Sequence, residues 1–254
     1  MKIARFATLA LLGLTLFAPS ARADAPQAPT PAPSSAPTAA PAATPTATPK
    51  AQATPEKQPI DGTQALFRLL TGNTRFVENR SIHADQGAYA RFKTSQKSRP
   101  WSIVVTCSDS RVPPEIVFDQ GLGDMFVVRT WGSYMGETTM GSLQHAVEDH
   151  EMNLILVLGH SQCVALKSII ENRKETGAAA KLVASLAPAV AIAHKLKGDL
   201  LDNACKENAR LVAQRIMSYP FVASRLKSGK FRVVAAYYDL KTGHVKVLNL
   251  NRQP

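Results

Sequence analysis

Cysteine is scarce in this chain: Cys107, Cys163 and Cys205 are the only three in 254 residues. So few exclude a disulfide-stapled scaffold and allow at most one bridge with a thiol left over. Long apolar runs are missing too. The stretch from Ala7 to Ala18 is 12 residues, against the roughly 20 that a helix needs to cross a bilayer, and no later run is longer, so no stable membrane insertion is expected. Acidic residues are outnumbered, 19 against 30 Lys and Arg, which leaves a formal charge of +11. The basic residues are scattered rather than gathered into a patch or stripe, so they read as solvated helix faces and nucleic acid is not an expected partner. A dinucleotide fingerprint is also absent: Gly121-Leu122-Gly123-Asp124 precedes a strand-like run instead of following one and lacks the full glycine spacing.

The front of the chain has almost nothing to bury. Lys2 and Arg5, the apolar run and the small-x-small site Ala21-Arg22-Ala23 make residues 1–23 a secretory signal, cleaved after Ala23. The protein is therefore expected in the periplasm or secreted, and its charge drops to +8 once Lys2, Arg5 and Arg22 leave. Residues 24–59 are mostly Ala, Pro, Thr, Gln and Ser and hold 10 of the 17 prolines, the composition of a disordered, PPII-leaning tether. One domain of about 195 residues remains, 60–254, enough for a substantial core.

Within it, five runs rich in β-branched and apolar residues predict strands at 102–106, 125–129, 154–158, 231–238 and 244–250. Apolar residues spaced three and four apart predict helices at 138–150, 163–174, 181–197 and 203–218. Two more amphipathic stretches, 61–79 and 84–94, precede the first strand, and their Phe67, Leu70 and Phe76 need cover from the chain's own sheet or from a partner subunit. Nearly continuous apolar strands separated by helices imply an α/β fold with a mostly parallel central sheet flanked by helices. The last two strands, joined through Lys241-Thr242-Gly243, predict an antiparallel hairpin at one edge.

In such sheets functional groups collect where strands give way to helices. The first strand runs into Cys107-Ser108-Asp109-Ser110-Arg111, and the third runs into Gly159-His160-Ser161-Gln162-Cys163. Two thiolates and an imidazole suit Zn²⁺, and three protein ligands leave a fourth position open for chemistry. In an exported protein a Cys107–Cys163 disulfide is the rival reading. Cys205 reads as a buried free thiol apart from the ligands.

The paired motifs Cys107-Ser-Asp-Ser-Arg111 and His160-Ser-Gln-Cys163 resemble the signature of the β-class carbonic anhydrases. The resemblance extends through Val112-Pro113-Pro114-Glu115, Asp119-Gln120-Gly121-Leu122-Gly123-Asp124 and Phe126-Val127-Val128-Arg129, and covers most of the chain from Ile60 onward. It implies zinc held by Cys107, His160 and Cys163, no organic cofactor, and a catalytic dyad of Asp109 and Arg111. Zinc would lower the pKa of bound water toward roughly 7, giving a hydroxide that adds to CO₂ to form bicarbonate, with Asp109 accepting its proton and so aiming its lone pair. In a closed form of such enzymes Asp109 would leave Arg111 and become a fourth metal ligand. The resemblance also implies a homodimer or homotetramer with the zinc near a subunit boundary.

Several pocket positions depart from the commoner pattern of that family. Val164 stands after Cys163 where glycine is usual, and Trp131 adds bulk in Arg129-Thr130-Trp131-Gly132-Ser133. Ser98 stands where a pocket glutamine is usual, unless a local shift lets Gln96 serve, and His145, where relatives often have tyrosine, is a candidate proton relay because imidazole titrates near neutrality, the alternative being a helix-face histidine buried for packing. Two rival functions follow. A hydrolase of CS₂ or COS would keep the same ligands and differ in channel access, whereas a silent zinc- or bicarbonate-binding module would have no use for the dyad.

Overall fold

The computed structural model describes residues 60–150 and 152–250; the signal and tether expected at 1–59 lie outside the described residues. The elements run α1 (Gly62–Val77), α2 (Ala88–Gln96), β1 (Ser102–Cys107), α3 (Pro114–Val117), β2 (Met125–Thr130), α4 (Glu137–Asp149), β3 (Leu154–His160), α5 (Val164–Ile170), α6 (Gly177–Ala193), α7 (Leu200–Met217), α8 (Pro220–Leu226), β4 (Arg232–Tyr238) and β5 (Val245–Leu248). One turn of 3₁₀ helix, Trp131–Ser133, follows β2. All five expected strands and six expected helices are present. The two short helices α3 and α8 were not anticipated; each starts with proline at its first position, where the missing N–H costs nothing.

The sheet has the order β2-β1-β3-β4-β5. Its first four strands are parallel, and β5 returns antiparallel to β4. That hairpin is pinned by the Asp239 carboxylate, which accepts from the N–H groups of Lys241 and Thr242 at 2.8 and 3.0 Å. Gly243, at φ 77°, takes the left-handed turn position that glycine occupies without strain.

The period-2 alternation of the strands sorts the core into two layers. Ile103, Val105, Ile155, Val157, Val233 and Ala235 face α4, α7 and α8 through Leu143, Val147, Ala213, Ile216 and Val222. Val104, Leu154, Leu156, Leu158 and Ala236 face α1 and α3 through Ala65, Leu69 and Val117. All six residues of β1 and all seven of β3 are buried, as expected of central parallel strands. Cys107 continues the odd-numbered side of β1 and so enters the α6–α7 side of the core.

The helix α1 begins with a capping box: Asp61 accepts from Thr63 and Gln64, while the Gln64 side chain accepts from the Asp61 N–H. Of the apolar residues on it that need cover, Phe76 packs on the chain's own sheet, whereas Phe67 is 72% exposed. Asn73, buried on the same helix, joins three segments at once. Its Nδ2 donates to the carbonyls of Val117 at 3.1 Å and Gly243 at 2.8 Å, and its Oδ1 accepts from the Val245 N–H at 2.8 Å. Asn73→Ala leaves those backbone groups without their partner and is expected to cost about 2–4 kcal/mol. Urea denaturation reads the loss, and faster amide exchange across β5 marks its location.

Candidate active site

The chain passes from β1 outward to β2 and then crosses to β3 on the other flank of β1. The direction of winding therefore reverses between β1 and β3, and the crevice beyond their carboxyl ends is where open α/β sheets place ligands. Cys107 is the last residue of β1 and His160 the last of β3. The two strands are direct neighbours, with Thr106 opposite Leu158 and the Thr106 hydroxyl donating to the Leu158 carbonyl at 2.8 Å. Cys163 caps the amino end of α5, after Gln162 has turned the chain through a left-handed conformation at φ 55°. It was expected inside that helix and lies one residue before it.

The ligand atoms of Cys107, His160 and Cys163 lie within 4.8 Å of one another, and all three residues are buried. The imidazole Nδ1 sits 2.8 Å from the Ser161 carbonyl, which can only accept, so Nδ1 carries the proton. Its Nε2 is buried without a hydrogen-bond partner among the described residues. An orphaned lone pair inside a protein is costly, and a soft cation between this nitrogen and two sulfurs removes that cost. No disulfide forms: all three cysteines are free. The Cys163 thiol donates toward Cys107 and, against the opposing effect of burial, holds the Cys107 thiol down to about 4. The same contact, together with burial, pushes Cys163 up. Two sulfurs this close share one proton unless a cation replaces it. The donor set, its burial and the unpaired nitrogen fit zinc.

Beside the trio, Asp109 and Arg111 form a two-pronged pair. Arg111 Nε donates to Asp109 Oδ1 at 2.9 Å and Nη2 to Oδ2 at 2.7 Å, and the Arg111 N–H adds a bond to Oδ1 at 3.0 Å. The Arg111 side chain holds the Asp109 carboxyl down to about 2 against the opposing effect of burial. Arg111 Nη2 also reaches the Gln162 carbonyl at 3.4 Å, tying the two ligand loops together. A cavity of about 310 Å³ opens here, lined by Cys107, Ser108, Asp109, Ser110, Arg111, Trp131 and Val164.

The expected site residues divide between this cavity and the surface. Trp131 and Val164 line the cavity, with Val164 43% exposed at its mouth. Ser98 lies exposed in the segment between α2 and β1 and does not line the cavity. His145 stands on the outer face of α4 with Nδ1 2.7 Å from Asp149, and it does not line the cavity either. Cys205, distant in sequence, packs in the same cluster as Cys107 and Cys163. Burial raises its thiol to about 12, so it stays neutral beside the trio.

Two other contributors, Arg129 and Ser161, lie inside the sequence motifs without a role of their own there. Arg129, near the end of β2, donates from Nε to the Cys107 carbonyl at 3.0 Å and from Nη2 to the Asp109 carbonyl at 2.6 Å, clamping the first ligand loop. The Ser161 hydroxyl accepts from the Leu240 N–H at 2.9 Å, anchoring the second loop to the end of β4. The sequence signal for Arg129 is its place in the stretches 126–129 and 129–133, and the register that sets Thr130 opposite Cys107 brings it to the site.

A family model described as carbonic anhydrase matches residues 102–245. The chain is 35% identical over 198 residues to a carbonic anhydrase of Mycolicibacterium smegmatis, an overlap of 76% of this chain and 95% of that protein. Among solved structures it is similar to a Coccomyxa β-carbonic anhydrase in complex with acetazolamide, with a TM-score of 0.57 and 25% identity over 72% of this chain and 86% of the other. It also shares its fold with one of two tetrameric β-carbonic anhydrases from the ascomycete Sordaria macrospora, at a TM-score of 0.60 and 17% identity over 73% and 98% of the two chains. The family match begins at the first residue of β1, ends at the first of β5 and so takes in the whole crevice between β1 and β3; this chain belongs to the carbonic anhydrase family, in its β class, and is a zinc-dependent lyase.

Proposed function

We propose that Cys107, His160 and Cys163 hold the zinc and that Asp109, kept ionised by Arg111, orients the water that adds to CO₂ to give bicarbonate. The observation that carries this reading is the buried, unpaired Nε2 of His160 grouped with two sulfurs, next to a doubly bonded Asp109–Arg111 pair. Zinc bound there supplies the Lewis acidity that lets water give up a proton near neutral pH.

The protein's own groups set the geometry. Asp109 is charged throughout the neutral range and can only accept. It would therefore accept a hydrogen bond from the attacking oxygen, which keeps its proton, and so leave that oxygen's lone pair turned toward the carbon of CO₂. Arg111 fixes both carboxylate oxygens, so the acceptor is held before substrate arrives. Arg129 holds the backbone on either side of Ser108. Trp131 and Val164 narrow the entry and set which linear molecule passes.

Asp109→Ala is expected to retain about one zinc per chain and to lose roughly 10²-fold or more in kcat/KM for CO₂ hydration, followed by stopped-flow with a pH indicator. A wild-type chain with full zinc that hydrates no CO₂ but hydrolyses CS₂ or COS would overturn the proposed substrate. Full zinc with neither activity would leave a silent binding module.

The assembly is proposed to be a homodimer or homotetramer. Phe67, Ile82, Tyr89 and Phe92 are each more than 60% exposed on or beside the first two helices, apolar side chains that a partner subunit would cover, and the Sordaria macrospora proteins of this fold are described as tetrameric. Light scattering is expected to give twice or four times the chain mass, with Phe67→Glu combined with Phe92→Glu moving the protein toward monomer. A wild-type monomer at micromolar concentration would contradict this. Export to the periplasm or beyond is likewise proposed, from the signal read at 1–23. Mass spectrometry of protein recovered outside the cytoplasm is expected to find Asp24 at the amino terminus, and an intact Met1 end would refute cleavage.

A further inference from the structure

Asn208 has no part in the chemistry above, yet it is 6% exposed on α7. Its Nδ2 donates to the carbonyl of Gly132 at 2.9 Å, a contact across 76 residues of sequence. The Gly132 N–H in turn donates to the sulfur of Cys107 at 3.3 Å. Gly132 therefore sits between two fixed points, in a left-handed conformation at φ 65°, ψ 20°. A side chain there would be strained by the positive φ and crowded, since a Cβ would lie 2.6 Å from Leu186 Cδ1 and 3.0 Å from Ala165 Cβ. Glycine is the residue that leaves such a conformation most easily, so something must hold it, and Asn208 grips its carbonyl.

We propose that Asn208 is a positioning residue for the thiolate of Cys107: by holding Gly132, it keeps one amide N–H on the sulfur and so sets how strongly that sulfur donates to the metal. The inference rests on Cys107 being a zinc ligand. A hydrogen bond to a thiolate draws charge from it, weakens its donation and leaves the cation a stronger Lewis acid, and such outer partners also orient the ligand. When the Asn208 amide is lost, the Gly132 peptide is free to rotate away from the sulfur. Trp131, immediately before Gly132, is carried by the same turn at the cavity wall.

The test uses the full chain with Asn208→Ala and with Asn208→Leu, which removes the donor but keeps bulk in the cavity. Val212→Ala serves as control, one turn further along α7 and buried in the layer against the sheet. Three readouts apply: zinc affinity by chelator competition, the thiolate-to-metal charge-transfer band of the cobalt-substituted protein, and the pH midpoint of kcat/KM for CO₂ hydration. Both Asn208 variants are expected to bind zinc about tenfold more weakly, because the loss of a fixed orientation at the Cys107 sulfur outweighs its stronger donation, to shift the band to lower energy and to move the midpoint upward, while Val212→Ala leaves all three at wild-type values. Folded Asn208 variants with wild-type affinity, band and midpoint would overturn the inference, as would equal changes in Val212→Ala. A wild-type chain whose cobalt form lacks a thiolate band would instead refute Cys107 as ligand, and the role of Asn208 with it.

Discussion

The imidazole of His160 commits one nitrogen to the Ser161 carbonyl and leaves the other buried with no hydrogen-bond partner among the described residues. In a low-dielectric interior such a group costs free energy unless something accepts its lone pair. The two cysteines grouped with it have a related conflict, because closeness lowers one thiol and raises the other, so both become thiolates only with a cation between them. Much of the surrounding structure serves this arrangement. The neighbouring strands β1 and β3 end together, Arg129 and Ser161 pin the two loops, and α7 supplies Asn208 behind the turn that meets the Cys107 sulfur.

On the proposed reading, the same placement separates metal binding from orientation. The three proposed ligands are buried, whereas Asp109 and Arg111 stand at the cavity wall, with side-chain exposures of 12% and 51%. A charged pair that exposed is worth little to stability. In the proposed mechanism its value is geometric: the carboxylate is fixed and ionised before substrate arrives, which is how a preorganised group lowers a barrier.

How much of this was legible in the sequence depended on how local the signal was. Strands β1 and β3 announced themselves as unbroken apolar runs, and Cys107, His160 and Cys163 stood out because they sit where those runs end. Asp109 and Arg111 were legible through their closeness to Cys107. Asn73 and Asn208 were not, since a helical asparagine looks like a surface residue until the fold brings it to a backbone group 170 or 76 residues away. Cys205 likewise showed its nearness to the trio only once α7 had packed against the sheet. The short helices α3 and α8 carried too few residues for a periodicity to emerge, though the prolines at their starts were a usable sign. Ser98 and His145 were placed near the pocket by alignment with a family pattern, and both stand on the surface away from its lining.

The metal assignment is tested most directly by X-ray absorption at the zinc edge on the purified, metal-loaded chain. Two sulfurs at about 2.3 Å and two lighter atoms at about 2.0–2.2 Å are predicted for Cys107, Cys163, His160 and one exchangeable oxygen. A first shell with one sulfur or none, or four light atoms, would contradict it.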